Sequence, residues 1–229
     1  MTLNLAHVER ALRTVPAGGR FLDLGCDDGS RTVQFAAAAR AREIHGVELD
    51  GDSAETARGR GVKVAKADLN RALPFPAGMF DVIVSNQVIE HLPDTDRFVS
   101  EVRRLLRPGG VAVTSTENLA SWHNIGALTL GWQPFSLSNV TSSRSGLGNP
   151  LALHRHESVG RESWQHVKVF SYRGLCELFE SHCLSVRAVL GAGYYPLPAA
   201  VGELEPRHAA FLTIVSVRPP ATQGVHPHF

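Results

Sequence analysis

The chain has 229 residues, 43% hydrophobic and 20% charged, which suits one domain, or one domain with an elaboration, and excludes wholesale disorder and collagen-like structure. Lys and Arg number 23 against 22 Asp and Glu, a formal charge of +1 with no basic run, so nucleic acid is not an expected partner. No stretch approaches the roughly 20 apolar residues of a membrane span, and Cys26, Cys176 and Cys183 are odd in number without metal spacing.

The opening MTLNLAHVER lacks the apolar core of a signal peptide. A cytosolic protein with no membrane partner and no disulfide framework is therefore expected. Residues 4–15 read as an amphipathic helix with Leu5, Val8, Leu12 and Val15 on one stripe, ended by Pro16-Ala17-Gly18-Gly19. Phe21–Leu24 is a short strand, followed by the turn Gly25-Cys26-Asp27-Asp28-Gly29 and an Ala-rich helix to about Arg40. Strands follow at 43–48, 62–66 and 80–84, with a helix near 53–58 between the first two. The clearest helix runs from an Asp94 cap through Phe98, Val99, Val102, Leu105 and Leu106 to Pro108-Gly109-Gly110, and Val111–Ser115 is a fifth strand. Strands alternating with helices predict an α/β fold, a parallel sheet covered on both faces.

After Thr116 the periodicity breaks. Residues 117–168 are rich in Ser, Asn, Gly and His and contain all three tryptophans, Trp122, Trp132 and Trp164. Such a segment predicts an acceptor-binding insert or lid rather than a second domain. Ser171 then caps a helix bearing Leu175, Leu178 and Phe179, and 184–190 and 211–217 read as two last strands. One domain over 1–218 is expected, with 219–229 a flexible tail in which His226 and His228 are inert.

The strand, loop and helix start in FLDLGCDDGS offer a glycine turn at a strand's carboxyl end, where a ligand meets bare backbone and free N–H groups. Glu48 ends the second strand, where a carboxylate can accept both hydroxyls of a ribose. Asp68 follows the third, where one can meet an adenine amino group. With FDVIVSNQVIEHL, EVRRLLRPGG and VAVTSTEN in order, the chain resembles the class I S-adenosylmethionine-dependent methyltransferases, in the type 11 or ubiquinone-pathway branch, with a bacterial sugar O-methyltransferase as one candidate. The likeness covers about residues 20–118 and resumes at HVKVFSYRGLCELFE. It implies a Rossmann-like seven-stranded, mostly parallel sheet with the last strand antiparallel, and the insert after strand 5. It also implies S-adenosyl-L-methionine as cofactor. Asp23, Gly25 and Gly29 would line its methionine end, Glu48 its ribose, Asp68 and Leu69 its adenine, and Ser85 and Asn86 would lie beneath it.

The family turn reads Gly-x-Gly-x-Gly, and here the middle position is Asp27, an extra carboxylate near that of the cofactor. A nicotinamide dehydrogenase is the rival enzyme, but Gly-x-Gly-x-x-Gly is not met; a non-catalytic binding module is the rival from another class. Some relatives hold a divalent metal with Glu-x-x-Glu-His where this chain has Gln87, Glu90 and His91. A neutral amide is a poorer ligand for a hard cation such as Mg²⁺, so Glu90 and His91 are candidate ligands or a packing shell. His123, His154 and His166 are candidate general bases in the insert, and His154 and His156 alternate as a possible pair of ligands. Histidines and tryptophans near a methyl donor suit a small polar acceptor that stacks on aromatics: a sugar or glycoside hydroxyl first, a phenol or quinol next. The sequence leaves the oligomeric state open, a homodimer included.

Overall fold

The computed structural model describes residues 2–220 except 153, 154, 156, 159–163, 196 and 199. Helix α1 (Thr2–Arg13) precedes β1 (Arg20–Leu24), α2 (Ser30–Ala38), β2 (Glu43–Glu48), α3 (Gly51–Gly59) and β3 (Lys63–Lys66). Then come β4 (Phe80–Asn86), α4 (Thr95–Leu105), β5 (Leu106–Glu117), α5 (Trp122–Thr129), α6 (Tyr172–Ser181), β6 (Ser185–Ala192), α7 (Ala200–Leu204) and β7 (Phe211–Val217). The strands form one seven-stranded sheet in the order β3-β2-β1-β4-β5-β7-β6. β1 to β5 pair in parallel, and β7 is antiparallel to both β5 and β6. This is the Rossmann-like sheet with an antiparallel last strand that the resemblance implies.

Successive side chains of a strand face opposite sides, and the core divides accordingly. Leu22, Ile83, Ala112 and Leu212 pack with Phe98, Val102, Leu175 and Phe179 of α4 and α6. Phe21, Val82, Val84, Val111 and Val113 pack with Leu5, Val8, Leu12 and Phe35 of α1 and α2. Each face buries several large side chains, each contributing about 1.5–3 kcal/mol.

Local signals placed two helix starts correctly: the side chains of Asp94 and Ser171 accept from the backbone N–H of Arg97 and Gly174. They failed in three places. The fifth strand begins at Leu106, before the Pro-Gly-Gly, because Gly109 N–H donates to Arg218 O and Arg218 N–H to Gly110 O, at 2.7 and 3.0 Å. The insert contains a helix, α5, held by Asn124 rather than by an apolar stripe. The Asn124 amide donates to Asn118 O at 2.9 Å and to Ser136 Oγ at 2.7 Å. The third miss is α7, secured by Glu203 accepting from Arg10 at 3.2 Å and lying 3.3 Å from His7 Nε2. The base of the insert is closed by a parallel bridge between Asn118 and Phe170. The tail beyond 220, with His226 and His228, lies outside the described residues.

Candidate active site

The turn after β1 is built from backbone. Gly25 has φ 84°, and a Cβ there would lie 2.6 Å from Val88 Cγ2, so only glycine fits without a shift. Its N–H and that of Cys26 both donate to Val47 O, at 2.9 and 3.0 Å. Asp27, which stands where the family has glycine, also has positive φ, at 44°. Its N–H donates to Glu48 Oε2 at 2.9 Å, a charge-assisted bond that offsets the left-handed conformation. Glu48 Oε1 accepts from the N–H of Leu49 and Asp50, each at 2.9 Å. The carboxylate expected to face a ligand therefore also ties the first loop to the second.

At the carboxyl ends of β1, β2 and β4, where the strand order reverses and ligands of such sheets bind, lies a cavity of about 1080 Å³. Of the expected cofactor residues, Asp23, Gly25, Glu48, Asp68, Leu69 and Asn86 line it; Gly29 and Ser85 do not. Gly29, φ 80°, would place a Cβ 2.9 Å from Ala57 Cα, so its part is to let α2 approach α3. Ser85 is fully buried in β4. The lining is acidic: Asp23, Asp27, Asp28, Glu48, Asp50 and Asp68 against Arg31, its one Lys or Arg among the described residues. Asp23 accepts from Thr32 Oγ1 at 2.7 Å, yet burial, with the Glu48 charge adding to it, pushes its carboxyl up to about 7. Burial also pushes the Cys26 thiol up to about 12, which leaves it an unreactive wall group.

The histidines separate. His91 lines the cavity, and its ring lies 4.9 Å from that of His166. His91 Nδ1 is 3.0 Å from Gln165 O and His166 Nδ1 is 2.7 Å from Ser136 O. A carbonyl can only accept, so both Nδ1 atoms carry the proton and both Nε2 atoms keep a lone pair. Glu90 is fully buried behind them. Its Oε2 accepts from Thr116 Oγ1 at 2.9 Å, its Oε1 has no hydrogen-bond partner among the described residues, and burial raises its carboxyl to about 8. One ligand atom each from Glu90, His91 and His166 lies within 4.8 Å of the others. Glu117 Oε2 is 3.6 Å from His166 Nδ1. His123 sits elsewhere, edge-on to Phe135 and Tyr195, with its pKa lowered by burial, and it is absent from the cavity lining. His154 and His156 lie outside the described residues.

Residues 22–114 match the methyltransferase domain family. Over that segment the chain is similar to S-adenosylmethionine-dependent methyltransferases. It is 42% identical over 103 residues to a probable S-adenosylmethionine-dependent methyltransferase of Mycolicibacterium smegmatis, covering 44% of this chain and 39% of that protein. To the ubiquinone biosynthesis O-methyltransferase of Psychrobacter arcticus it is 33% identical over 110 residues, 44% of this chain and 42% of that one. The match with these curated relatives thus spans only about two fifths of their length. Among solved structures, a SAM-dependent methyltransferase from Thermotoga maritima, described as a possible histamine N-methyltransferase, superposes with TM-score 0.63 at 21% identity, over 95% of this chain and 90% of that one. That likeness establishes the shared fold.

The candidate site also includes residues that sequence reading missed. Trp164, Gln165 and Val167 line the cavity from the far end of the insert, strapped down because the N–H groups of Val167 and Lys168 donate to Glu90 O at 2.8 and 3.2 Å. No local pattern marks them, since the strap joins positions about 75 residues apart. Asn4 reaches the floor from α1 for the same kind of reason. Among the described residues no helix is long and apolar enough to cross a membrane.

Proposed function

We propose that this chain transfers a methyl group from S-adenosylmethionine to a hydroxyl of a small polar acceptor, a sugar or glycoside first and a phenol or quinol second. The acid-lined cavity carries the reading. A cationic sulfonium with an ammonium group is attracted to this acidic lining, and an anionic acceptor is repelled. In this reading Glu48 takes the ribose hydroxyls, Asp68 and Leu69 the adenine, and Asp23, Gly25 and Asn86 the remainder. When bound, the cofactor supplies an electrophilic methyl, so the protein's task is to exclude water and align an oxygen with it. The sugar preference rests on Trp122. One face stacks on His208 at 4.4 Å, the indole N–H donates to Tyr194 OH at 2.9 Å, and the residue, outside the cavity lining, is 44% exposed, an aromatic surface of the kind that packs on an apolar sugar face. The phenol alternative rests on the name of the Psychrobacter relative.

A hydroxyl is a weak nucleophile, and His91, which lines the cavity, with His166 edge-on to it at 4.9 Å, is the place to activate it. His166, although outside the lining, is our first choice of base, ahead of His123 and His154, because its Nδ1 is held by Ser136 O and its Nε2 is left to act. A second reading is that Glu90, His91 and His166, each with one ligand atom within 4.8 Å of the others, hold a divalent cation, since ligating histidines characteristically donate their other N–H to a carbonyl. Bound there, a cation such as Mg²⁺ would lower the pKa of a bound hydroxyl. The two roles exclude each other for His166. Chelation that abolishes turnover selects the metal, whereas full activity in chelator with loss in His166→Ala selects the base.

Calorimetric titration with S-adenosylmethionine, S-adenosylhomocysteine and a nicotinamide dinucleotide tests the assignment, followed by tritiated-methyl transfer to a panel of sugars, phenols and amines. Absence of heat with both adenosyl compounds at millimolar concentration would sink it.

A further inference from the structure

Beneath the cavity a chain of directed hydrogen bonds begins and ends on lining residues. Asn4, only 1% exposed, accepts at Oδ1 from Ser115 Oγ at 2.6 Å and from Thr213 Oγ1 at 3.4 Å. Its Nδ2 donates to Asn86 Oδ1 at 3.2 Å. Ser115 Oγ in turn accepts a long bond from Gln87 Nε2 at 3.5 Å. The lengths set the direction. A separation of 2.6 Å is an O–H···O distance, too short for N–H···O, whereas 3.2 Å suits an amide nitrogen on oxygen. The atom of Asn4 facing Ser115 is therefore its oxygen. Asn86 uses its carbonyl on Asn4 and keeps its NH₂ for the cavity; Gln87 uses its NH₂ on Ser115 and keeps its carbonyl. Both line the cavity.

We infer that Asn4 is a positioning residue that fixes Asn86 as a hydrogen-bond donor, and Gln87 as an acceptor, at the cavity floor. Such a floor fits a ligand edge offering a lone pair and a proton side by side, as the carboxylate and ammonium of an amino acid do, or a hydroxyl. The polarity of the floor stands on the hydrogen bonds alone; which ligand meets it rests on the methyl-transfer reading above. Asn4 lies outside the matched segment 22–114 and joins the site through α1, so this chain's amino-terminal helix is part of the binding machinery as well as of the core.

Side-chain amide exchange with water, read by ¹⁵N NMR on the full chain, is the test, with the Asn86 NH₂ pair assigned by its loss in Asn86→Asp. In the native protein that pair faces the cavity and exchanges fast. In Asn4→Asp, at a pH where the new carboxyl is ionised, it can only accept, so Asn86 turns to donate to it, and exchange slows by about tenfold or more against native protein at the same pH. Calorimetry with S-adenosylhomocysteine should show affinity about tenfold weaker in Asn4→Asp, and no further loss when Asn86→Ala is added, which a merely structural role would not produce. A protected Asn86 NH₂ in the native protein overturns the proposed polarity even where Asn4→Asp does not fold. Unchanged exchange in a folded Asn4→Asp overturns the positioning role. A native protein that exchanges as expected but binds no S-adenosylhomocysteine removes the cofactor reading and leaves the polarity standing.

Discussion

Asp23 is buried at the end of β1, and its carboxyl is raised from the ordinary 3.8 to about 7 by desolvation first and by Glu48 second. The folded chain therefore holds a proton that the unfolded chain has released. Between roughly pH 4 and pH 7 this residue makes stability fall as pH rises. A cation in the cavity favours the ionised form, so S-adenosylmethionine affinity is expected to rise from about pH 6 to about pH 8, by at most about tenfold per unit, with a proton released on binding. Calorimetry in two buffers of different ionisation enthalpy measures that proton, and Asp23→Asn should remove it. Glu48 makes a sharper case. Glu48→Ala is expected to weaken cofactor binding by about 1.5–3 kcal/mol per charged hydrogen bond lost. Because Glu48 also holds the N–H groups of Asp27, Leu49 and Asp50, part of that loss is loop disorder. Glu48→Gln keeps an acceptor for the N–H groups of Leu49 and Asp50 but turns a donor toward that of Asp27, so its loss of affinity should fall between those of native protein and Glu48→Ala. Equal affinity in folded Glu48→Ala and native protein would make it a structural acid only.

The insert is the element on which specificity is expected to depend. Ser136 O, Gln165 O and Glu90 O tie it to the site, while Gly146 and Gly148 have φ of 69° in the Gly- and Ser-rich run beside Arg144. We expect 117–168 to act as an acceptor lid. Trypsin should cut near Arg144 in the free protein and more slowly with S-adenosylhomocysteine plus an acceptor. Equal cleavage with and without ligands would mark a rigid insert. At the strap, His166→Ala should lower turnover by about 10²–10⁴-fold with cofactor affinity nearly unchanged, measured as methyl transfer beside a calorimetric titration. The helix α5 shows why the insert resisted sequence reading. Its fold is held by the buried amide of Asn124, and amides leave no apolar period for a sequence to display.

At the scale of the molecule, the cavity is formed by loops that a ligand would bridge, from Asp23 through Glu48 and Asp68 to Trp164. Saturation with S-adenosylhomocysteine at about 100 times its dissociation constant should add about 2.7 kcal/mol, a thermal shift of about 5–11 °C for a chain of this size. Core truncation supplies the contrast. Phe98 and Phe179, at 1% and 0% exposure on α4 and α6, should each cost about 3–5 kcal/mol on replacement by alanine, with the midpoint lowered whether or not ligand is present.

The sheet and the main helices were legible in the sequence because burial on one face imposes a period. Leu5-Val8-Leu12 and Phe98-Val102-Leu105 repeat as helices do, and the β1, β2 and β4 runs stand between glycines and caps. That Gly25, Glu48 and Asp68 share one cavity was legible because Gly25 needs a positive φ and the two acids recur at the ends of successive strands. What the sequence could not show is where distant polar groups meet. Asn4 beneath Asn86, Glu90 under the far end of the insert, and His166 against His91 come together only when β4, β5 and the insert are folded. Gly29 and Ser85, expected beside the cofactor, are not among the residues that line the cavity. Spacing fixes which side of an element a residue occupies, but the pairing of buried donors with acceptors is decided by packing in three dimensions.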